Sequence, residues 1–121
     1  MHAKAIACEV RYQLDPDQRA AFEDYGRAWV RLIERHGGFH YGFFLPRAAP
    51  GDSTLSFPGK GHARPGDVAI ALYGFPDEAT YNAYRRNVPL DPEAAPILER
   101  FVEPPFHSYE RIFVSPLSPD A

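Results

Sequence analysis

Residues 5–13, AIACEVRYQ, alternate without a break: Ile6, Cys8, Val10 and Tyr12 fall on one side, Ala7, Glu9, Arg11 and Gln13 on the other. A period of two predicts a strand with two unlike faces. The period then lengthens. Phe22, Tyr25, Trp29, Leu32, Ile33 and His36 recur at steps of three and four, which is the apolar stripe of an amphipathic helix. Asp15 suits its N-cap and Pro16 its first position. Arg19, Glu23, Arg27, Arg31 and Arg35 form the wet face, with Glu23 and Arg27 spaced for an ion pair. Gly26 sits mid-helix at a cost of about 1 kcal/mol against alanine, so a close backbone approach is expected there.

Gly37-Gly38 ends that helix, and FHYGFFLP predicts a second strand stopped by Pro46. Residues 47–66 carry four glycines and three prolines without a sustained period, which predicts a long loop. DVAIALYGF, residues 67–75, reads as strand three. PDEATYNAYRRN reads as a helix capped by Asp77 and facing inward at Tyr81 and Tyr84. In DPEAAPILERFV, Pro96 splits the segment into a turn and a short helix. FHSYERIFVSPL, residues 106–117, closes the chain as strand four. The order β-α-β-β-α-β predicts an α+β, ferredoxin-like domain over residues 1–121, with both main helices on one face of a four-stranded antiparallel sheet. The other face would be bare and rich in apolar side chains, so a homodimer through the sheet faces is expected.

Composition narrows the classes. At 121 residues and 45% hydrophobic, the chain can build one core and is not a disordered one. A net charge of −3 gives no reason to expect a nucleic-acid partner. No apolar run is long enough for a membrane span, and MHAKAIACEV lacks the apolar core of a signal peptide. Cys8 is the lone cysteine, which fits a reducing cytoplasm.

Three stretches carry a family likeness. CEVRYQLDPDQRAAFEDYGRAWVRLIERHGGFHYGFFLP, ALYGFPDEATYNAYRR and SYERIFVSPL together resemble the bacterial NIPSNAP family. Those proteins run from an E-x-R-x-Y-like strand through a helix ending near H-G-G to G-x-F-L-P. A strand into F-P and then A-x-Y-x-x-Y-R follow. The resemblance spans all four strands and both main helices. It implies a dimeric α/β barrel, in which two ferredoxin-like subunits close their sheets together. That superfamily includes cofactor-free monooxygenases, muconolactone isomerases, haem-degrading enzymes and stress-response proteins. By resemblance, then, the expected role is a cofactor-independent oxygenase or isomerase acting on a small aromatic or carbonyl compound. The alternative is a non-catalytic small-molecule-binding or protein-interaction module. Residues 47–66 depart from the family pattern as an insertion before strand three.

His36 and His40 are four apart, the spacing with which two histidines on one helix grip a metal. Gly37-Gly38 breaks the helix between them and no further ligand set accompanies them, so no metal site is expected. Alternation puts His40 on the face of Gly42 and Phe44, opposite Phe39, Tyr41 and Phe43. There it is either a general base or a hydrogen-bonded strand histidine. Glu9 and Arg11 share a face of a central strand, a place that rarely holds two charges. They serve either a ligand, Arg11 holding an oxygen and Glu9 exchanging a proton, or an internal salt-bridge network. Tyr12, Trp29, Tyr84, Tyr109 and Arg111 are candidates for the wall of a ligand pocket, the aromatics also being ordinary core residues. Cys8 reads as inert packing. FPGKGHARPG lacks the spacing of a phosphate loop, although Lys60 and His62 would meet a ligand if this loop were a lid.

Overall fold

A computed structural model describes residues 4–51, 57, 59–61 and 66–119. His62 and half of the predicted loop over residues 47–66 lie outside the described residues, and Lys60 is exposed. The elements run β1 (Ile6–Gln13), α1 (Arg19–Arg35), β2 (Phe39–Phe44), β3 (Val68–Phe75), α2 (Glu78–Asn87), α3 (Ala95–Arg100) and β4 (Ser108–Val114). Single turns of 3-10 helix precede α1 and follow α2. The sheet is antiparallel in the order β2-β3-β1-β4. This is the expected ferredoxin-like arrangement, with β1 central.

The termini of the helices follow from local chemistry. Ahead of α1, the Asp15 N–H donates to Gln18 Oε1 at 2.9 Å. Gly37, at φ +89°, takes the left-handed conformation that ends α1. Asp77 Oδ1 accepts from the Thr80 N–H at 2.7 Å and caps α2. On the outer face of α1, Arg27 reaches Glu23 at 3.2 Å.

Alternation along β1 decides where the core lies. Cys8, Val10 and Tyr12 face the helices with Ala69, Ala71, Tyr73 and Phe75 of β3, and all seven are buried. Phe22, Leu32 and Ile33 of α1 and Tyr84 of α2 cover them. Burying such a side chain contributes about 1.5–3 kcal/mol each. Gly26 is where α1 meets β2: a Cβ there would stand 3.0 Å from the Phe43 ring.

Strand β2 departs from simple alternation. A register shift between His40 and Gly42 places His40 opposite Tyr73 and Phe43 opposite Ala71. His40 and Phe43 therefore share the helix side, their rings stacked 5.3 Å apart. Gly42 and Phe44 pair with Leu72 and Ile70 on the other side. This corrects the expected face of His40: one extra residue in the strand resets its phase.

The end of α1 is tied to the segment after α2 by a buried acid. Asp91, only 8% exposed, accepts from Arg35 Nε at 2.7 Å and lies 2.8 Å from His36 Nε2. It also accepts from the Glu93 N–H at 2.9 Å. The Arg35 guanidinium first, then the Glu93 amide and His36, hold the Asp91 carboxyl well below the ordinary carboxylate range. Such a group stabilises the fold above the unfolded-state pKa of about 4, and its contribution disappears as pH falls through the lower folded-state value. Asp91→Asn is therefore expected to lower the melting temperature at neutral pH. The deficit against wild type should narrow as pH drops below about 4, measured by circular dichroism across a pH series; a deficit unchanged with pH would refute the ionic account.

Candidate functional site

The sheet's two faces hold different chemistry. On the uncovered face, Arg11 Nε bonds Glu9 Oε2 at 2.8 Å, and Arg11 Nη1 lies 3.6 Å from Glu110 Oε1. Apolar side chains flank this charged band. Glu9 stands opposite Leu72 and Ile112, Arg11 opposite Ile70. A depression of about 540 Å³ runs past Arg11, Gln13, Val68, Ile70 and Glu110. The register also assigns the two faces of β4: Glu110 joins Arg11, while Tyr109 and Arg111 face the helix side opposite Tyr12 and Val10.

On that helix side the residues converge. A cavity of about 170 Å³ lies between the sheet and the helices. Its floor is Val10, Tyr12, Tyr73, Tyr109 and Arg111, and its roof Tyr25, Trp29, Tyr84 and Arg85, with Phe106 at the side. Tyr12, Trp29, Tyr84, Tyr109 and Arg111, named from sequence as pocket-wall candidates, thus lie around one space. Tyr25, Tyr73, Arg85 and Phe106 escaped the sequence reading. Tyr25 and Tyr73 belong to periodic apolar sets and carried no signal beyond core packing.

Aromatic geometry holds the cavity's shape. Trp29 Nε1–H donates to Tyr84 Oη at 2.9 Å. Tyr25 stacks on Trp29 with centroids 5.7 Å apart and planes 10° apart. Phe106 closes on Tyr12 at 4.8 Å and on Tyr25 at 5.7 Å. Burial pushes the Tyr84 hydroxyl up to about 12 and those of Tyr12, Tyr25 and Tyr73 upward as well. These four phenols therefore stay protonated at neutral pH and act as hydrogen-bond donors rather than bases. Arg111 lies with its Cζ 5.6 Å from the Tyr109 ring centroid, and its Nε is buried without a hydrogen-bond partner. None of the lining residues is Asp, Glu or His.

The three residues named from sequence for acid–base work are not brought together in one chain. Glu9 and Arg11 lie on the uncovered face, paired with each other. His40 borders a separate cavity of about 270 Å³ with Phe22, Gly26, Val30 and Phe43, and its Nε2 is buried without a partner. The bulge in β2 and the pleat of β1 separate them. Among the described residues, no three His, Cys, Asp or Glu side chains group to hold a metal, and no helix is long and apolar enough to cross a membrane.

With this geometry in hand, comparison with solved structures is informative. The chain has a ferredoxin-like fold. More narrowly, the fold is NIPSNAP-like. A NIPSNAP-like domain protein from Burkholderia xenovorans superposes with a TM-score of 0.68 at 18% identity, covering 97% of this chain and 89% of that one. A NIPSNAP family protein from Agrobacterium tumefaciens gives 0.69 at 14% identity, with 97% and 90% covered. SnoaB, a cofactor-independent oxygenase from Streptomyces nogalater, gives 0.59 at 13% identity, with 96% of each chain covered. No family model and no curated protein sequence matches the chain.

The bond from Trp29 to Tyr84 carries a stability prediction. In a double-mutant cycle of Trp29→Phe and Tyr84→Phe, urea unfolding should give a coupling of about 0.5–1.5 kcal/mol. Strict additivity would mean that the two side chains do not act as a pair.

Proposed function

We propose that the cavity between helices and sheet takes a compact aromatic or carbonyl compound, and that the protein is a cofactor-independent oxygenase using dioxygen on that compound. The observation that carries this reading is the convergence of tyrosine hydroxyls, an indole and a guanidinium on one cavity between sheet and helices. The likeness to SnoaB lends the reaction class. Tyr12, Tyr84 and Tyr109 orient substrate oxygens, Trp29 supplies a flat wall, and Arg111 draws electron density. Isomerisation fits less well. Moving a proton between two carbons needs a base within reach, and the lining offers neither carboxylate nor imidazole. The same absence supports a second reading, a binding module without turnover.

The test uses the chain's single tryptophan. A panel of phenols, hydroxyquinones and 1,3-dicarbonyls is titrated with Trp29 fluorescence as readout, and oxygen uptake is followed with a chelator present. Quenching together with protein-dependent oxygen consumption is the expected result. Quenching without consumption selects the binding module, and no response from any compound removes the pocket reading.

The uncovered face is proposed to meet the same face of a second copy about a two-fold axis. Phe44, Ile112 and Val114 remain 53%, 38% and 44% exposed on it. Arg11 is already matched by Glu9, so covering the band strands no lone cation. Sedimentation at micromolar concentration should give a dimer for wild type and a monomer for Ile112→Asp. A monomeric wild type would exclude this assembly.

A further inference from the structure

Among the described residues, Arg111 has no anion. Its Nε is buried and unpartnered, and it makes no ion pair among the described residues. The groups acting on its charge are mainly phenols, Tyr73, Tyr81 and Tyr109, and Tyr12 and Tyr25 line the same space. Arg85, on α2, is a second cation lining the same space. A partly buried guanidinium that faces phenols and another guanidinium carries an uncompensated desolvation cost. Folded chains retain such a group where a ligand supplies the missing charge. The size of the space suits a small ligand. At about 170 Å³ it is close to a protein cavity of roughly 150 Å³ that takes up benzene.

From this juxtaposition we propose that the ligand is a single-ring aromatic compound bearing an ionised oxygen, phenolate or carboxylate, with that oxygen on the Arg111 guanidinium where it lines the cavity and the ring against Tyr25 and Trp29. The inference rests on the pocket reading above and narrows it. Since no base lines the cavity, the ligand enters already ionised or gives its proton to solvent as it enters.

The probe is 4-nitrophenol, whose phenolate absorbs apart from the phenol, set against its methyl ether, 4-nitroanisole. 4-Nitrobenzoate distinguishes carboxylate from phenolate, and 6-nitro-2-naphthol tests the one-ring limit. Each is titrated into the full chain at the pH where free 4-nitrophenol is half ionised. The expected result is a phenolate band for bound probe, with the ether and the naphthol each binding at least tenfold more weakly. A neutral probe bound as tightly as the anion overturns the charge assignment while leaving the pocket reading intact. A naphthol bound as tightly overturns the one-ring limit, and no binding by any probe up to millimolar concentration overturns both readings together. Arg111→Met supplies an independent readout without ligand. Removing an unpaired cation should raise the melting temperature by about 2–4 °C while abolishing the preference for the anion. A fall in melting temperature, or failure to fold, would make Arg111 a structural cation and refute its role as anion receptor.

Discussion

The hydrogen bond from Trp29 Nε1 to Tyr84 Oη joins α1 to α2 above the sheet, and the enclosed side of the molecule is organised around it. Two large flat side chains, each with few rotatable bonds, are fixed in relative orientation by one directional contact. Tyr25 then stacks on Trp29, and Phe75 packs against Tyr84 with ring centroids 4.9 Å apart. Protein interiors normally close their gaps to near-crystalline density. Here the rings bring polar tips to the same place, and polar tips need partners rather than apolar filling. A gap bounded by hydroxyls and a guanidinium therefore persists where an all-aliphatic layer would close.

The opposite face obeys a different constraint. Strand β1 is central, yet its outward positions hold Glu9 and Arg11, which are matched to each other across one pleat. The flanking Ile70, Leu72 and Ile112 give this surface an apolar rim around a neutralised centre. The two faces are coupled through β4. As an edge strand, it presents Glu110 to the charged band and Tyr109 and Arg111 to the cavity in alternate positions. On the proposed assembly, whatever seats β4 against a second copy also sets the cavity wall.

The sequence exposed the order of elements, the helix ends and the inward sides of β1, α1 and α2, because each depends on residues near one another in the chain. Ile6 to Gln13 alternate visibly, and Gly37-Gly38 marks a stop that no other residue pair would allow as easily. What stayed hidden was relational. Alternation fixes phase within a strand and not between strands, so whether Arg111 or Glu110 would stand beside Glu9 could not be read. The bulge before Gly42 has no local signature strong enough to announce that His40 and Phe43 share a side. The Arg35–Asp91 tie spans 56 residues, and the missing partner of Arg111 is a property of every element packed around it.

The absence of an acid or base in the cavity also shapes what chemistry the proposed oxygenase can perform. Burial holds the hydroxyls of Tyr12, Tyr25, Tyr73 and Tyr84 protonated, and no carboxylate or imidazole accompanies them in the lining. Such a site works through orientation and electrostatics, and the reactivity must come from the substrate. An electron-rich anion meeting dioxygen in a small space walled by aromatic rings suits that division of labour. Replacing a tyrosine here by phenylalanine removes a donor and preserves the wall, whereas replacing Arg111 removes one of the two cations that line the cavity. The pocket's selectivity on this reading lies in β4, the strand its helices cover least: Tyr109 remains 54% exposed there.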